Sequence, residues 1–166
     1  MLWATDKTYL RLGKGFAYLG AVIDWDSRKA LSWKLSNTMD TSFCKEALQD
    51  AISRYGAPEY FSTDQGAQFT AEEFTAILKA NDIKISMDVK GRAIDNVFTE
   101  RLWRSIKHEN IDLRGDQSMN EAEYIEFYSL LRLHKSLDYR TPNQVHDGVY
   151  KAKEIKVGKK VLKDVA

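Results

Sequence analysis

The sequence predicts a mixed α/β domain, one sheet with helices packed on it, and three observations lead there. Residues 8–35 hold three runs rich in aromatic and β-branched types, and residues 41–134 alternate between helical and strand-like periodicity. With 166 residues, 43% of them hydrophobic, the chain can fill one core of ordinary size but hardly two. Antiparallel strands followed by alternating helices and strands give a mixed sheet rather than a sandwich or a bundle.

The elements follow in order. Thr8-Tyr9-Leu10 and the run Phe16 to Ile23 are strand-like and are split by Gly13-Lys14-Gly15, a hairpin signal. Ala30 to Leu35 alternates apolar with polar residues after the polar turn Asp24 to Lys29, which makes a third antiparallel strand. Phe43, Ala47, Leu48, Ala51 and Ile52 then form a helical stripe, with Thr41 or Asp40 able to cap its start and Gly56 followed by Pro58 ending it. Glu59 to Thr63 is a short strand, Glu72 to Ala80 a helix with Phe74, Ile77 and Leu78 inward, and Ile83 to Met87 another strand. Beyond Gly91, a helix is predicted by Ile94, Phe98, Leu102 and Ile106, which recur every four residues. A last helix is expected from about Asn120 to His134, and Thr141-Pro142 opens the terminal segment.

Composition excludes several classes of function. A lone cysteine, Cys44, forms no internal disulfide, no apolar run approaches the roughly 18 residues of a membrane span, and the N-terminus lacks the features of a secretory signal. A soluble, intracellular protein is expected. His108, His134 and His146 are too scattered for a zinc site, and no Ser-His or Cys-His pair suggests a protein nucleophile. Net charge is only +1, so binding to nucleic acid would depend on local charge. Residues 151–166 hold six lysines against Glu154 and Asp164, a tail that reads either as a solvated end or as a phosphate contact.

Three acids carry the chemical reading. Asp6 precedes a strand-like segment, Asp64 ends another, at the carboxyl edge where ligands of mixed sheets tend to sit, and Glu100 lies mid-helix. Each alone is equally a turn, cap or surface residue. On the helix, Asn96, Glu100, Arg104 with Trp103, and Lys107 share the face opposite the apolar stripe. That face is either solvated with modest ion pairing, or a metal-ligating glutamate whose basic neighbours contact DNA phosphates. Gly66 either lets a DNA backbone approach closely or is a plain turn glycine. Trp33 is expected in the core and Trp103 near the site.

The stretches Trp3 to Tyr9, Tyr18-Leu19 to Val22-Ile23-Asp24, Ser27-Arg28-Lys29, Ser62 to Phe69, Ile85-Ser86-Met87, Gly91 to Asn96 and Glu100 to Trp103 resemble the integrase core of bacterial insertion-sequence transposases of the IS-three type, relatives of retroviral integrases. The resemblance implies a ribonuclease-H-like fold, a mixed five-stranded sheet with helices on both faces, with residues 1–150 as catalytic core and 151–166 as a basic tail. The family signature is two aspartates and a glutamate, and the 35 residues between Asp64 and Glu100 match its spacing. Asp6, Asp64 and Glu100 would therefore be both catalytic residues and ligands of two Mg²⁺ or Mn²⁺ ions. Gln65, Gly66, Gln68, Asn96, Arg104 and Lys107 would contact DNA.

The implied reaction is DNA strand cleavage and strand transfer in transposition, by a cytoplasmic, nucleoid-associated protein. Its implied partners are element-end and target DNA, further copies of the chain, and an upstream helix-turn-helix protein or fusion, but no membrane. Relatives end in a pattern like Tyr-Asn-x-x-Arg-Pro-His-x-x-Leu, where this chain has Tyr128-Ser129-Leu130-Leu131-Arg132-Leu133-His134-Lys135-Ser136-Leu137. That departure, with a chain beginning five residues before Asp6, leaves an alternative: a truncated or decayed transposase fragment that only binds nucleic acid or regulates.

Overall fold

A computed structural model describes residues 1–12, 15–63, 66–87, 97–112 and 120–148. Five strands form one sheet: β1 (Leu2–Leu12), β2 (Gly15–Asp24), β3 (Ala30–Ser36), β4 (Tyr60–Thr63) and β5 (Lys84–Met87), in the order β3-β2-β1-β4-β5. β1 to β3 are antiparallel, whereas β4 runs parallel to β1 and β5 parallel to β4. The helices are α1 (Ser42–Tyr55), α2 (Ala67–Thr70), α3 (Glu72–Ala80), α4 (Val97–Arg104) with a π-helical continuation Ser105–Asp112, and α5 (Glu121–Leu130). A single turn at Lys135–Leu137 and a closing helix over 142–148 follow. Among the described residues, no helix is long and apolar enough to cross a membrane.

β1 is the central strand and is longer than its sequence pattern suggests. It pairs with β2 from Trp3 to Leu12 and with β4 from Leu2 to Thr5. A strand packed on both faces need not alternate apolar with polar residues, which is why only Thr8 to Leu10 stood out in the sequence. Asp6 consequently lies within the strand, opposite Ala21 of β2, rather than before it.

Strand periodicity sends side chains to two clusters, one on each face. On the first, Trp3, Val22, Leu31 and Phe61 pack against Phe43, Leu48, Phe69, Phe74 and Leu78 of α1 to α3. On the second, Leu10, Leu19, Ala21 and Ile23 meet Leu102 and Ile106 from α4 and its continuation, and Tyr124, Ile125 and Tyr128 from α5. Gly20 belongs to the first face, where α1 comes so close that an added Cβ would stand 2.9 Å from the Phe43 ring.

α1 ends as its sequence foretells, at Gly56 with φ of 77°. At its start Thr41 occupies the cap position without a side-chain bond, and Asp40 instead accepts from the Ser42 amide at 2.9 Å. α5 stops at Leu130, a turn short of His134, because Leu131 N–H and Arg132 N–H both donate to Phe127 C=O and His134 pairs with Arg140 as an isolated bridge. Trp33 is half-buried at the rim of the second cluster, since β3 is an edge strand, while Trp3 is fully enclosed. Gly91, Ile94 and the tail 151–166 lie outside the described residues.

Candidate active site

The site begins at Asp6, which shares its sheet face with Leu10 and Ala21. One carboxylate oxygen, Oδ1, accepts from the Lys7 amide at 2.7 Å, and the other, Oδ2, accepts from Trp103 Nε1 at 2.9 Å. Trp103 is 6% exposed. The sequence had grouped it with Glu100 on a polar helix face, but the ring turns inward because its N–H finds this carboxylate. Glu100 sits three residues earlier on α4 and is exposed. Residues three apart on a helix are neighbours along one edge, so the contact that docks Trp103 on β1 also brings the Glu100 edge of α4 over the same strand.

β4 ends at Thr63, which pairs with Thr5 in parallel register. The next residue of β1 is Asp6 and the next after β4 is Asp64. Asp64, Gln65 and Asn96 lie outside the described residues. Among the described residues no three of His, Cys, Asp and Glu stand together as a metal cluster. The chemistry of the donor set nonetheless suits a hard divalent cation: Asp6 is half-buried with its carboxylate oriented by two N–H donors, and Glu100 is an exposed carboxylate on the helix that supplies one of them.

The remaining expected DNA contacts part company. Gln68 accepts from Lys7 Nζ through Oε1 and donates to Met39 C=O at 3.4 Å, so it braces β1 from the face opposite Asp6. Gly66 has φ of −62°, open to any residue, and its C=O starts α2 by accepting from Phe69 N–H and Thr70 N–H. Its backbone therefore supplies no reason of its own for glycine. Lys107 lies over the Tyr9 ring, 4.7 Å from the centroid, beside the exposed Phe16. Arg104, by contrast, lines a separate cleft with Arg28, Arg101 and Arg132.

Two features escaped sequence reasoning. Glu109 accepts from Tyr124 Oη at 2.9 Å and from Arg132 Nε and Nη2 at 3.0 and 2.5 Å, tying the helical continuation to the end of α5. Burial pushes the Glu109 carboxyl up, but the bonds from Arg132 and Tyr124 outweigh it and hold it below the usual carboxylate range. The second feature lies inside the expected turn Asp24 to Lys29: Asp24 Oδ2 accepts from both the amide and the hydroxyl of Ser27, at 3.0 and 2.6 Å, and Arg28 takes a left-handed φ of 65°. An Asp three residues before Ser27, ending a strand, was the available signal for a capped turn.

Comparison with known proteins adds the following. Residues 1–93 match the family described as integrase core domain, and residues 81–142 match a second family of the same description. The chain is 38% identical over 111 residues to transposase InsF for insertion sequence IS3A of Escherichia coli (strain K12), an alignment covering 66% of this chain and 38% of InsF. Over 155 residues it is 29% identical to InsK, named for insertion sequence element IS150 of the same organism, covering 89% of this chain and 55% of InsK. The chain thus spans well under two thirds of these relatives. Among solved structures, the catalytic core domain of BIV integrase aligns with a TM-score of 0.71 at 17% identity, covering 92% of this chain and 97% of that one. The HTLV-2 integrase catalytic core domain in complex with magnesium aligns with a TM-score of 0.68 at 23% identity, covering 87% and 95%. These likenesses establish the ribonuclease-H-like fold.

Proposed function

Because the chain belongs to the integrase core domain family, we propose that it is the catalytic core of a DNA transposase, in which Asp6, Asp64 and Glu100 act together on a phosphodiester. The observation that carries this reading is the hydrogen bond from Trp103 Nε1 to Asp6 Oδ2, which docks the Glu100 helix on the central strand. The register supports it, since the last paired residues of β1 and β4, Thr5 and Thr63, are each followed by an aspartate. Asp6, Asp64 and Glu100 would hold one or two divalent cations. When bound, such ions supply charge neutralisation and activation of the attacking and leaving oxygens of a phosphodiester.

The chain's own groups do the rest. Trp103 fixes the Asp6 carboxylate, and Asp6 need not reorganise when its ligand arrives. Gln65 and Asn96 would face DNA near the acids, and residues 151–166 would form a basic tail. The retained acids and the match across both halves of the chain favour a catalytic core over a fragment that only binds nucleic acid.

A nicking or strand-transfer assay on element-end DNA with Mn²⁺ tests the proposal, comparing the chain with Asp64→Asn and Glu100→Gln. Loss of several kcal/mol of transition-state stabilisation, roughly a hundredfold or more in rate, is expected for each variant. Equal activity in all three would remove the catalytic assignment. Separately, Mn²⁺ should raise the melting temperature of the chain but not of Asp64→Asn.

A further inference from the structure

The cleft that receives Arg104, a residue the family resemblance already sets against DNA, does not include the carboxylate of Asp6 or Glu100 in its lining. Its volume is about 840 Å³, and it opens between α4 with its continuation, the end of α5, and the turn after β2. Five cationic side chains line it, Arg28, Arg101, Arg104, Arg132 and Lys135, against one carboxylate, Glu109. That carboxylate is already engaged by Arg132 and Tyr124. A chain with a net charge of only +1 thus concentrates cationic side chains in one concavity.

Three further observations indicate that the cleft is built for an anion. Arg28 is held in a left-handed backbone conformation by the Asp24–Ser27 cap, an arrangement that an arginine adopts only when its surroundings impose it. Burial, and more weakly the neighbouring Arg101, push the Arg28 guanidinium below its ordinary value, with Tyr128 pulling the other way. A bound anion would offset the cost of burying that guanidinium beside Arg101. Finally, His134 is 9% exposed, lines the cleft, and has its Nε2 buried with no hydrogen-bond partner among the described residues.

We propose that this cleft binds the phosphodiester backbone of DNA at a position distinct from the carboxylates, with Arg28 and Arg101 joining Arg104, already expected to meet DNA, as its phosphate contacts. Guanidinium groups present paired N–H donors that match phosphate oxygens. The polymer is favoured over a free anion because Arg101 directly follows Glu100 and Arg104 lies one helical turn beyond it. A strand lying at Glu100 is therefore within reach of this second hold. The inference rests on the reading of the chain as a DNA-acting core. It also gives a role to Arg28 and to the segment around Arg132 and His134, which the acids alone leave without one.

The test is fluorescence anisotropy of a labelled DNA duplex across a salt series, with the chain, Arg101→Gln, Arg28→Gln/Arg101→Gln, and Arg54→Gln as a control on the exposed end of α1. Each lost phosphate contact should lower the slope of log affinity against log salt by about 0.9, so the double variant should bind about tenfold or more weakly in low salt while Arg54→Gln binds normally. An unchanged slope in the folded double variant overturns the inference. If Arg28→Gln prevents folding, Arg101→Gln decides alone, since Arg101 is exposed and its loss leaves the core intact. Inorganic phosphate that displaces the duplex at equal phosphate concentration would overturn the assignment to DNA in favour of a free-anion site. Glu100→Gln separates the two readings: lost strand transfer with a normal salt slope in the arginine variants sinks only the cleft, and retained strand transfer with a reduced slope sinks only the carboxylate mechanism.

Discussion

Trp3 and Asp6 stand three residues apart on β1 and point to opposite faces of the sheet, into two different kinds of packing. Trp3 enters a cluster of rings and aliphatic chains, with Phe61, Phe69 and Phe74 in edge or tilted contact. Asp6 enters a layer that is apolar at Leu10, Ala21 and Leu102 but crossed by polar links, Trp103 to Asp6 and the Glu109 bonds to Tyr124 and Arg132. One strand therefore anchors the fold with its odd residues and offers chemistry with its even ones. The difference teaches where each kind of damage should show: the first face in stability, the second in activity before stability.

The comparison can be broken most forcefully on the first face. Phe61→Ala removes a ring that is 0% exposed and should cost about 3–5 kcal/mol, lowering the melting temperature by roughly 10 °C or more. A loss under about 1 kcal/mol would mean that this face is not the anchor. Gly20→Ala comes next, because its Cβ would meet the Phe43 ring at 2.9 Å and α1 must shift, at a cost of about 1–3 kcal/mol in denaturant melts. On the second face, Trp103→Phe keeps most of the packing and deletes only the N–H donated to Asp6. Stability should fall by about 1 kcal/mol, whereas strand transfer should fall roughly tenfold or more, as when an orienting partner of a ligand is lost. Equal proportional losses in both measurements would erase the distinction between the faces.

How far the two faces could be read beforehand depended on range. Local signals worked: the hairpin, the α1 stripe with Gly56 at its end, and the strands beginning near Glu59 and Ile83 all recur in the structure, shifted by a residue or so. Contacts distant in sequence did not announce themselves. Asp6 and Trp103 are 97 residues apart, and although Trp103 was expected near the site, nothing in a helix pattern says that an indole grouped with the polar face will donate to a carboxylate on another element. Helical periodicity also assumed a regular α-helix through Ile106, but Ser105–Asp112 is π-helical, so Lys107, which lies over Tyr9, no longer follows the α-helical spacing from Arg104, the last residue of α4, in the arginine cleft. The end of α5 was misread for a similar reason, because the bridge between His134 and Arg140 competes with further helix.

The smallest expected effect concerns pH and separates the faces by titration. Burial, and next Arg132, lower the pKa of His134 on the second side; burial, and next Lys29, lower that of His146, whose ring meets Tyr55 at the end of α1. Both imidazoles are thus held neutral in the fold. The unfolded chain takes up protons first as pH falls through the ordinary value of 6.5, so the stability they contribute is complete above it and declines below. Glu109 acts in the same direction at lower pH: its carboxyl is depressed, and its contribution is lost as pH falls through the folded value, below the ordinary 4.5. Thermal melts between pH 7.5 and 5 should therefore show a fall of a few degrees, shallower in His146→Gln, and a further fall below pH 4.5 that Glu109→Gln removes. Because Glu109 joins the π-helical segment to α5, that second fall should loosen the helices of the second face while the Trp3 cluster persists, which tryptophan fluorescence of Trp103→Phe against the unaltered chain can follow. A single transition shared by both faces at every pH would show instead that the sheet couples them too tightly to fail apart.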